Sequence, residues 1–384
     1  MRIAIPTESA PGERRVALVP AAMKTLSKAK AEIAVQAGAG AAAGYGDAAY
    51  EAAGAVIVKD RAELLKSADC VAQVRALGAT GADPLADISL MKSGASLVAT
   101  VDPLLAPEPI REAAKRGINV FSLELVPRTT RAQTMDVLSS QNNLSGYKAV
   151  LLAANALPKI LPMMTTAAGT LPASRVLVLG AAVAGLQAIA TARRLGAVVS
   201  GYDIRPVCKT DVESLGARWV DLGLDTADAQ AAGGYAKAMD DERQKKQREL
   251  LTPFLAQVDI VITTALIPGR KAPLMITKDM VEAMAPGSVI VDIAAERGGN
   301  CELSEAGKTI EHKGVTIIGP VNLPSTVATH ASLMFAKNVA TFLLNLIDKE
   351  GAWKIDREDD IVKGSLLTWE GEVVDQRIID LLKK

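Results

Sequence analysis

Two stretches of the chain space their side chains for chemistry. The first, RTTRAQTMDVLSSQ from Arg128 to Gln141, packs guanidinium, amide, carboxylate and hydroxyl groups into a short run that opens onto a long apolar helix. Groups of this kind suit gripping and orienting a polar ligand rather than moving protons near neutral pH. A plain helix start, with Asp136 or Ser140 as the cap, would use one or two of them but not all.

The second is RVLVLGAAVAGLQAIATARRLGAVVSGYDIR. A strand ends at Gly180, a turn leads into a helix near Gly185, and a second strand ends at Asp203. In a dinucleotide site the first glycine permits the tight turn, the last allows close helix packing, and the helix N-terminus faces the pyrophosphate. The middle glycine of that pattern is Ala182 here, whose methyl should push the phosphates slightly outward. Asp203 stands where a carboxylate accepts hydrogen bonds from the adenosine ribose and repels a 2′-phosphate, favouring NAD over NADP. Arg205 argues the other way, since an arginine could receive that phosphate. A turn of this shape without a nucleotide is the competing reading, and a surface ion pair is the competing role for Asp203.

Other catalytic groups are scarce. The chain has two histidines, and a dehydrogenase acting on a hydroxy or amino acid usually needs one beside the substrate carbonyl. His312 lies in a polar stretch read as a turn before a strand, and His330 opens a helix; solvation or capping suits both contexts. No metal-ligand spacing and no nucleophile elbow occurs. Three widely separated cysteines, Cys70, Cys208 and Cys301, fit neither a disulfide framework nor a metal cluster and read as reduced, buried thiols of a cytoplasmic protein.

These groups need a scaffold, and its pattern is regular. RIAIP, EIAVQAG, AVIV, CVAQV, SLVATV and NVFSLEL precede residue 126; RVLVLG, AVVSGYDI, RWVDL, DIVITTALI, SVIVDIA and VTIIGPVN follow residue 170. Short runs apolar on both faces, alternating with helical stretches, indicate parallel sheets covered by helices. The expected fold class is α/β, with two Rossmann-like doubly wound parallel-sheet domains separated by a cleft. Helical spacing from about Ser140 to Leu157 and from His330 to Ile347 supplies two crossings. The expected boundaries are 1–138 plus 327–384 for a discontinuous first domain and 139–326 for the second. The 384 residues carry 43 basic and 43 acidic side chains, which gives no field to gather nucleic acid. The N-terminus meets a proline and a charge too soon for a secretory signal, and the apolar run Val176–Ala192 reads as strand, turn and helix rather than a membrane span.

RTTRAQTMDVLSSQNNLSGYKAV, MMTTAAGT, AGGYAKAM, TTALIPG, PGSVIVDIAAERGGNCELSE and FAKN together resemble the soluble NAD(H)-binding components of proton-translocating nicotinamide nucleotide transhydrogenases, the separate first portion of their α subunit; alanine dehydrogenases are the broader relatives. The resemblance implies that the 128–141 loop closes over the nicotinamide end of NAD(H) where an NADP(H)-binding component docks. Arg128 would reach the nicotinamide end or its phosphates, Asp136 and Ser139 would hold the carboxamide, and Gln133 would bond the ribose and face the partner's nucleotide, with Thr134 and Met135 completing that edge. Val183, Ala184 and Gly185 would meet the pyrophosphate, and Asp203, Ile204 and Arg205 the adenosine ribose. Gly234, Gln247 and Leu266 would finish the pocket, with Tyr235 near the tip of a mobile flap.

The resemblance also implies a homodimer, a β subunit that binds NADP(H), a membrane-spanning second portion of the α subunit, and a cytoplasmic position on the inner membrane held through those partners. The complex would transfer hydride from NADH to NADP⁺ coupled to inward proton movement. Two rivals remain: a self-sufficient alanine dehydrogenase and a nucleotide-sensing module without catalysis. Against the first, the pyruvate pocket of alanine dehydrogenases resembles this chain at Arg15, but their lysine falls on Gln73, their catalytic histidine near Thr100, and their catalytic aspartate on Glu296.

Overall fold

A computed structural model describes residues 1–81, 83–224, 240–348 and 350–383. It divides into two compact units, Met1–Gln141 with Ser325–Lys384, and Asn142–Pro324. The first boundary falls inside a single helix, Val137–Ala156.

Unit 1 is built on β1 (Arg2–Ile5), β2 (Glu32–Gln36), β3 (Val56–Val58), β4 (Cys70–Arg75), β5 (Ser96–Thr100) and β6 (Asn119–Ser122). All pair in parallel, in the order β3-β2-β1-β4-β5-β6. Because side chains alternate across a strand, Ile3 and Ile5 enter one core with Met23, Leu26, Phe335, Val339 and Phe342. Ala4 enters the other with Leu64, Leu65, Ile110 and Ala113. Both faces of the central strands are covered, so those strands are largely apolar.

Unit 2 begins within the helix Val137–Ala156 and continues through an exposed hairpin, β7 (Met164–Thr166) and β8 (Gly169–Leu171). Its sheet comprises β9 (Arg175–Leu179), β10 (Val198–Tyr202), β11 (Arg218–Trp219), β12 (Ile260–Thr263), β13 (Val289–Asp292), β14 (Thr309–His312) and β15 (Val315–Ile318), in the order β11-β10-β9-β12-β13-β15-β14. Of these described strands only β14 runs antiparallel. It places His312 in an edge strand rather than a turn, with Nε2 2.9 Å from Glu282. The helix Val137–Ala156 lies against the N-terminal turn of the helix Val183–Arg194: a Cβ on Gly146 would sit 2.0 Å from the Ala184 carbonyl oxygen, so only glycine fits there.

The chain then returns to unit 1 through the helix Ala328–Asn345 and ends with the small hairpin β16 (Thr368–Trp369) and β17 (Glu372–Val373) and the helix Gln376–Leu382. The segment Leu323–Asn345 is apolar and long enough to cross a membrane by composition. Its helix, however, packs Phe335, Ala336, Val339, Phe342 and Leu343 into the core of unit 1, which accounts for its hydropathy. All three cysteines are buried and unpaired.

Candidate functional site

In unit 2 the strand order reverses between β9 and β12, and ligands of doubly wound sheets bind outside the carboxyl ends of the strands at that point. Gly180 directly follows β9 with φ +100°, and a Cβ there would lie 2.5 Å from the hydroxyl of Thr264, one residue past β12. A Cβ on Gly185 would come within 1.7 Å of the Gly180 carbonyl oxygen. The turn therefore holds its helix by backbone contact that any side chain would break. Ala182 occupies the N-cap with φ −85°, an ordinary value for an L-residue, and its methyl points to solvent. It has no side-chain oxygen to take the first-turn N–H groups of Val183, Ala184 and Gly185, so the end of this twelve-residue helix is left for an anion.

Asp203, one residue beyond β10, is buried. Its Oδ2 accepts the Ala181 N–H at 2.8 Å, which joins the acid to the glycine turn. Arg205 folds back on it: Nε donates to Oδ1 and an Nη to Oδ2, each at 2.8 Å, and the Arg205 backbone N–H adds a third bond at 2.9 Å. Ile204 lies between them, half-buried. The turn, the uncapped helix and the acid fit a pyrophosphate with a ribose beside Asp203. Leu266, just past β12, is exposed. Gln247 faces inward and donates to the Tyr202 hydroxyl at 2.8 Å; burial pushes that phenol up to about 12. Gly234 and Tyr235, and with them the expected flap, lie outside the described residues.

In unit 1, Thr130–Met135 form a 3-10 turn leading into the helix that starts at Val137. Asp136 accepts the Ser139 N–H at 2.8 Å and the Ser139 hydroxyl at 2.6 Å. It thus caps the helix in the manner the plain reading allowed, and the two polar groups are fixed as a pair. Gln133 and Thr134 are exposed, as is Arg128, while Met135 is buried in the core. The second arginine of the stretch is engaged elsewhere. Arg131 forks onto Asp359 at 2.6 and 2.7 Å and also meets Asp360, and Asp359 caps the helix Asp360–Ser365.

The residues expected from the sequence to fall at the positions of a keto-acid pocket are hydrogen-bonded within their own units. Gln73 donates to Asp87 at 2.9 Å, the Thr100 hydroxyl donates to the Val74 carbonyl, and in unit 2 Glu296 accepts the Asn322 N–H at 3.0 Å. Arg15 lies buried in a double hydrogen bond with Glu13, at 2.8 and 2.7 Å, and donates to Gln141 at 2.9 Å.

Two doubly wound units, one with a glycine turn, an uncapped helix start and a buried acid beside them, define an α/β protein of the nucleotide-binding class. Comparison with known proteins narrows this. The chain belongs to the alanine dehydrogenase/PNT family, whose N-terminal domain matches residues 4–145 and whose C-terminal domain matches residues 149–376. It is 47% identical over 378 residues, 97% of this chain and 98% of the other, to the first portion of the NAD(P) transhydrogenase α subunit of Rhodospirillum rubrum. It is 42% identical to the protein of the same name from Rickettsia prowazekii, with 97% and 96% covered. The solved structure of transhydrogenase from Sinorhizobium meliloti superimposes with a TM-score of 0.86 at 46% identity, covering 97% of this chain and all of that one.

Proposed function

We propose that the chain is the NAD(H)-binding component of a proton-translocating NAD(P) transhydrogenase. On this reading unit 2 is the dinucleotide-binding domain, and unit 1, with its C-terminal return, carries the loop that orients the nicotinamide for a partner. The observation that carries the reading is the joint presence of the Gly180–Gly185 turn tied to Asp203 and the capped Asp136–Ser139 loop, in a chain similar over nearly its whole length to split transhydrogenase α subunits.

The bound coenzyme would supply a hydride donor, and the chain's own groups need only hold it and keep water away. The first-turn amides of the helix Val183–Arg194 take the pyrophosphate. Asp203 takes the adenosine ribose. Because Arg205 is committed to that carboxylate, it is not turned toward a 2′-phosphate, which favours NAD over NADP. Arg128, Gln133, Asp136 and Ser139, with Thr134 and Met135 beside them, hold the nicotinamide end; Gln133, exposed on the loop, faces the partner's nucleotide. Val183, Ala184, Gly185, Ile204, Gln247 and Leu266 complete the pocket.

The partners are an NADP(H)-binding β subunit and a membrane-spanning second portion of the α subunit, with proton translocation residing in them and this chain held peripherally on the cytoplasmic side. A second copy of the chain is a further partner; what supports it is the hairpin β7–β8, which exposes Met163, Met164 and Leu171.

Mixing with the NADP(H)-binding component of a transhydrogenase and following hydride transfer from NADH to an NADP analogue by stopped flow tests the proposal. Transfer is expected, and Gln133→Asn should slow it by about 100-fold while changing NADH affinity by less than about threefold, since a shorter amide cannot hold the rings in register. Turnover of NADH with pyruvate and ammonia by the chain alone would instead make it an alanine dehydrogenase, and binding without any transfer would make it a sensor.

A further inference from the structure

We propose that Asn338 is the positioning residue of the hydride-transfer loop, holding the segment that carries Gln133, Asp136 and Ser139 through both ends of one side-chain amide. This rests on the reading of that loop given above.

Asn338 lies in the helix Ala328–Asn345, about two hundred residues along the chain from the loop, and is 8% exposed. Its Nδ2 donates to the Thr134 carbonyl at 2.8 Å, and its Oδ1 accepts the Ser140 hydroxyl at 2.8 Å. These two contacts bracket the turn on either side of the Asp136 cap. Between them, Met135 and Val137 anchor in the core that Phe335 and Val339 of the same helix help to form. Apolar anchoring fixes depth but not register, because a methionine side chain adapts to small shifts. A planar amide that donates at one end and accepts at the other fixes both.

The consequence is directional. With its backbone carbonyl held at Thr134, the chain presents Gln133 and Thr134 outward, where both are exposed. With its hydroxyl held at Ser140, the first turn of the helix keeps the Asp136–Ser139 pair at a fixed height. None of these atoms needs to touch a ligand for Asn338 to matter. Without Asn338 the Thr134 carbonyl loses this bond and the Ser140 hydroxyl keeps only its local bonds to the Val137 carbonyl and the Gln141 amide, at 3.1 and 3.2 Å. The loop is then free to slide against the helix, and a displacement of about 1 Å at a reacting centre costs on the order of 100-fold in rate.

Asn338→Ala and Ser140→Ala test this in the full chain with the NADP(H)-binding component. Asn338→Ala should lower single-turnover hydride transfer by about 30- to 100-fold at temperatures well below melting, with NADH affinity within about threefold of wild type. Ser140→Ala removes one of the two contacts and should cost less, and the double variant should lose no more than Asn338→Ala alone, since the two groups act as one unit. Amide hydrogen exchange reads the loop without the partner: Asn338→Ala should speed exchange at residues 135–139 by at least about tenfold relative to the rest of unit 1. Wild-type chain that fails to transfer hydride would sink the functional reading yet leave this exchange prediction to be judged. Exchange at 135–139 unchanged in Asn338→Ala, or a rate loss that only tracks a fall in NADH affinity and melting temperature, would overturn the positioning role.

Discussion

The two sheets of this protein share the parallel order of their first five strands and differ at the place where that order reverses. In unit 2 the turn at the reversal between β9 and β12 is closed by backbone packing at Gly180 and Gly185, and the helix that follows begins on an alanine with no capping oxygen, leaving its first-turn amides uncapped by that side chain. In unit 1 the reversal between β1 and β4 is filled from within. Glu8, just past β1, accepts the Val74 and Arg75 N–H groups at 2.7 and 3.0 Å, and beside it Glu13 pairs with Arg15 and lies 3.5 Å from Arg75. Where unit 2 offers amides to an incoming anion, unit 1 has already given its own to a carboxyl group. The same scaffold is thus a binding crevice or a closed core according to a few residues after the first strand.

Substitutions can break that contrast from either side. The largest effect should come from Gly185→Val, since even a Cβ would sit 1.7 Å from a backbone oxygen. We expect NADH binding to vanish in titration calorimetry and unit 2 to lose roughly 3 kcal/mol in denaturant unfolding; retained binding would show that the turn does not shape the crevice. Asp203→Asn keeps an acceptor for the Ala181 N–H but frees Arg205. NADH affinity should fall by about 30-fold, about 2 kcal/mol, while NADPH affinity rises, narrowing the discrimination between them.

On the unit 1 side, burial pushes the Glu8 carboxyl up to about 8 against the pull of its two backbone N–H partners. Its folded pKa thus lies above its ordinary value of 4.5, so the folded state binds the proton more tightly. The contribution is fully present below the ordinary carboxylate range and is lost as pH rises toward about 8. Because the side chain is still partly exposed, we expect the loss across that window to be about 1–2 kcal/mol, less than the full shift would give. Glu8→Gln should flatten this pH dependence in unfolding measurements and leave NADH affinity within about threefold. The smallest effect belongs to Ala182→Gly: the backbone there is already at negative φ, so removing the methyl should change NADH affinity by no more than about tenfold, or 1.4 kcal/mol.

Much of the scaffold is legible in the sequence for a physical reason. Central strands covered on both faces are largely apolar, and the twelve parallel strands described above all coincide with the apolar runs read from the sequence, although the edge strands β3 and β11 are partly exposed. The edge strand β14 is half-exposed along its length, and the hairpin β7–β8 is fully so; neither carries the apolar run that marks a buried strand. At the candidate site, Gly180, Gly185 and Asp203 announce themselves because backbone geometry and close approach demand those residue types. Arg131 pairs with Asp359, a residue more than two hundred positions along the chain, which nothing in the local sequence signals. Asn338 carries no local signal, because both of its partners are distant in the chain. Arg205 could be weighed for or against a 2′-phosphate from sequence, but its folding back onto Asp203 is a matter of rotamer.

The contrast between the two crevices is tested most directly by amide hydrogen exchange with and without saturating NADH. The account predicts new protection at residues 180–186 and in the loop 133–139, with none at residues 5–9 or 73–76. Protection appearing at the end of β4 and around Glu8, with residues 180–186 unchanged, would contradict it.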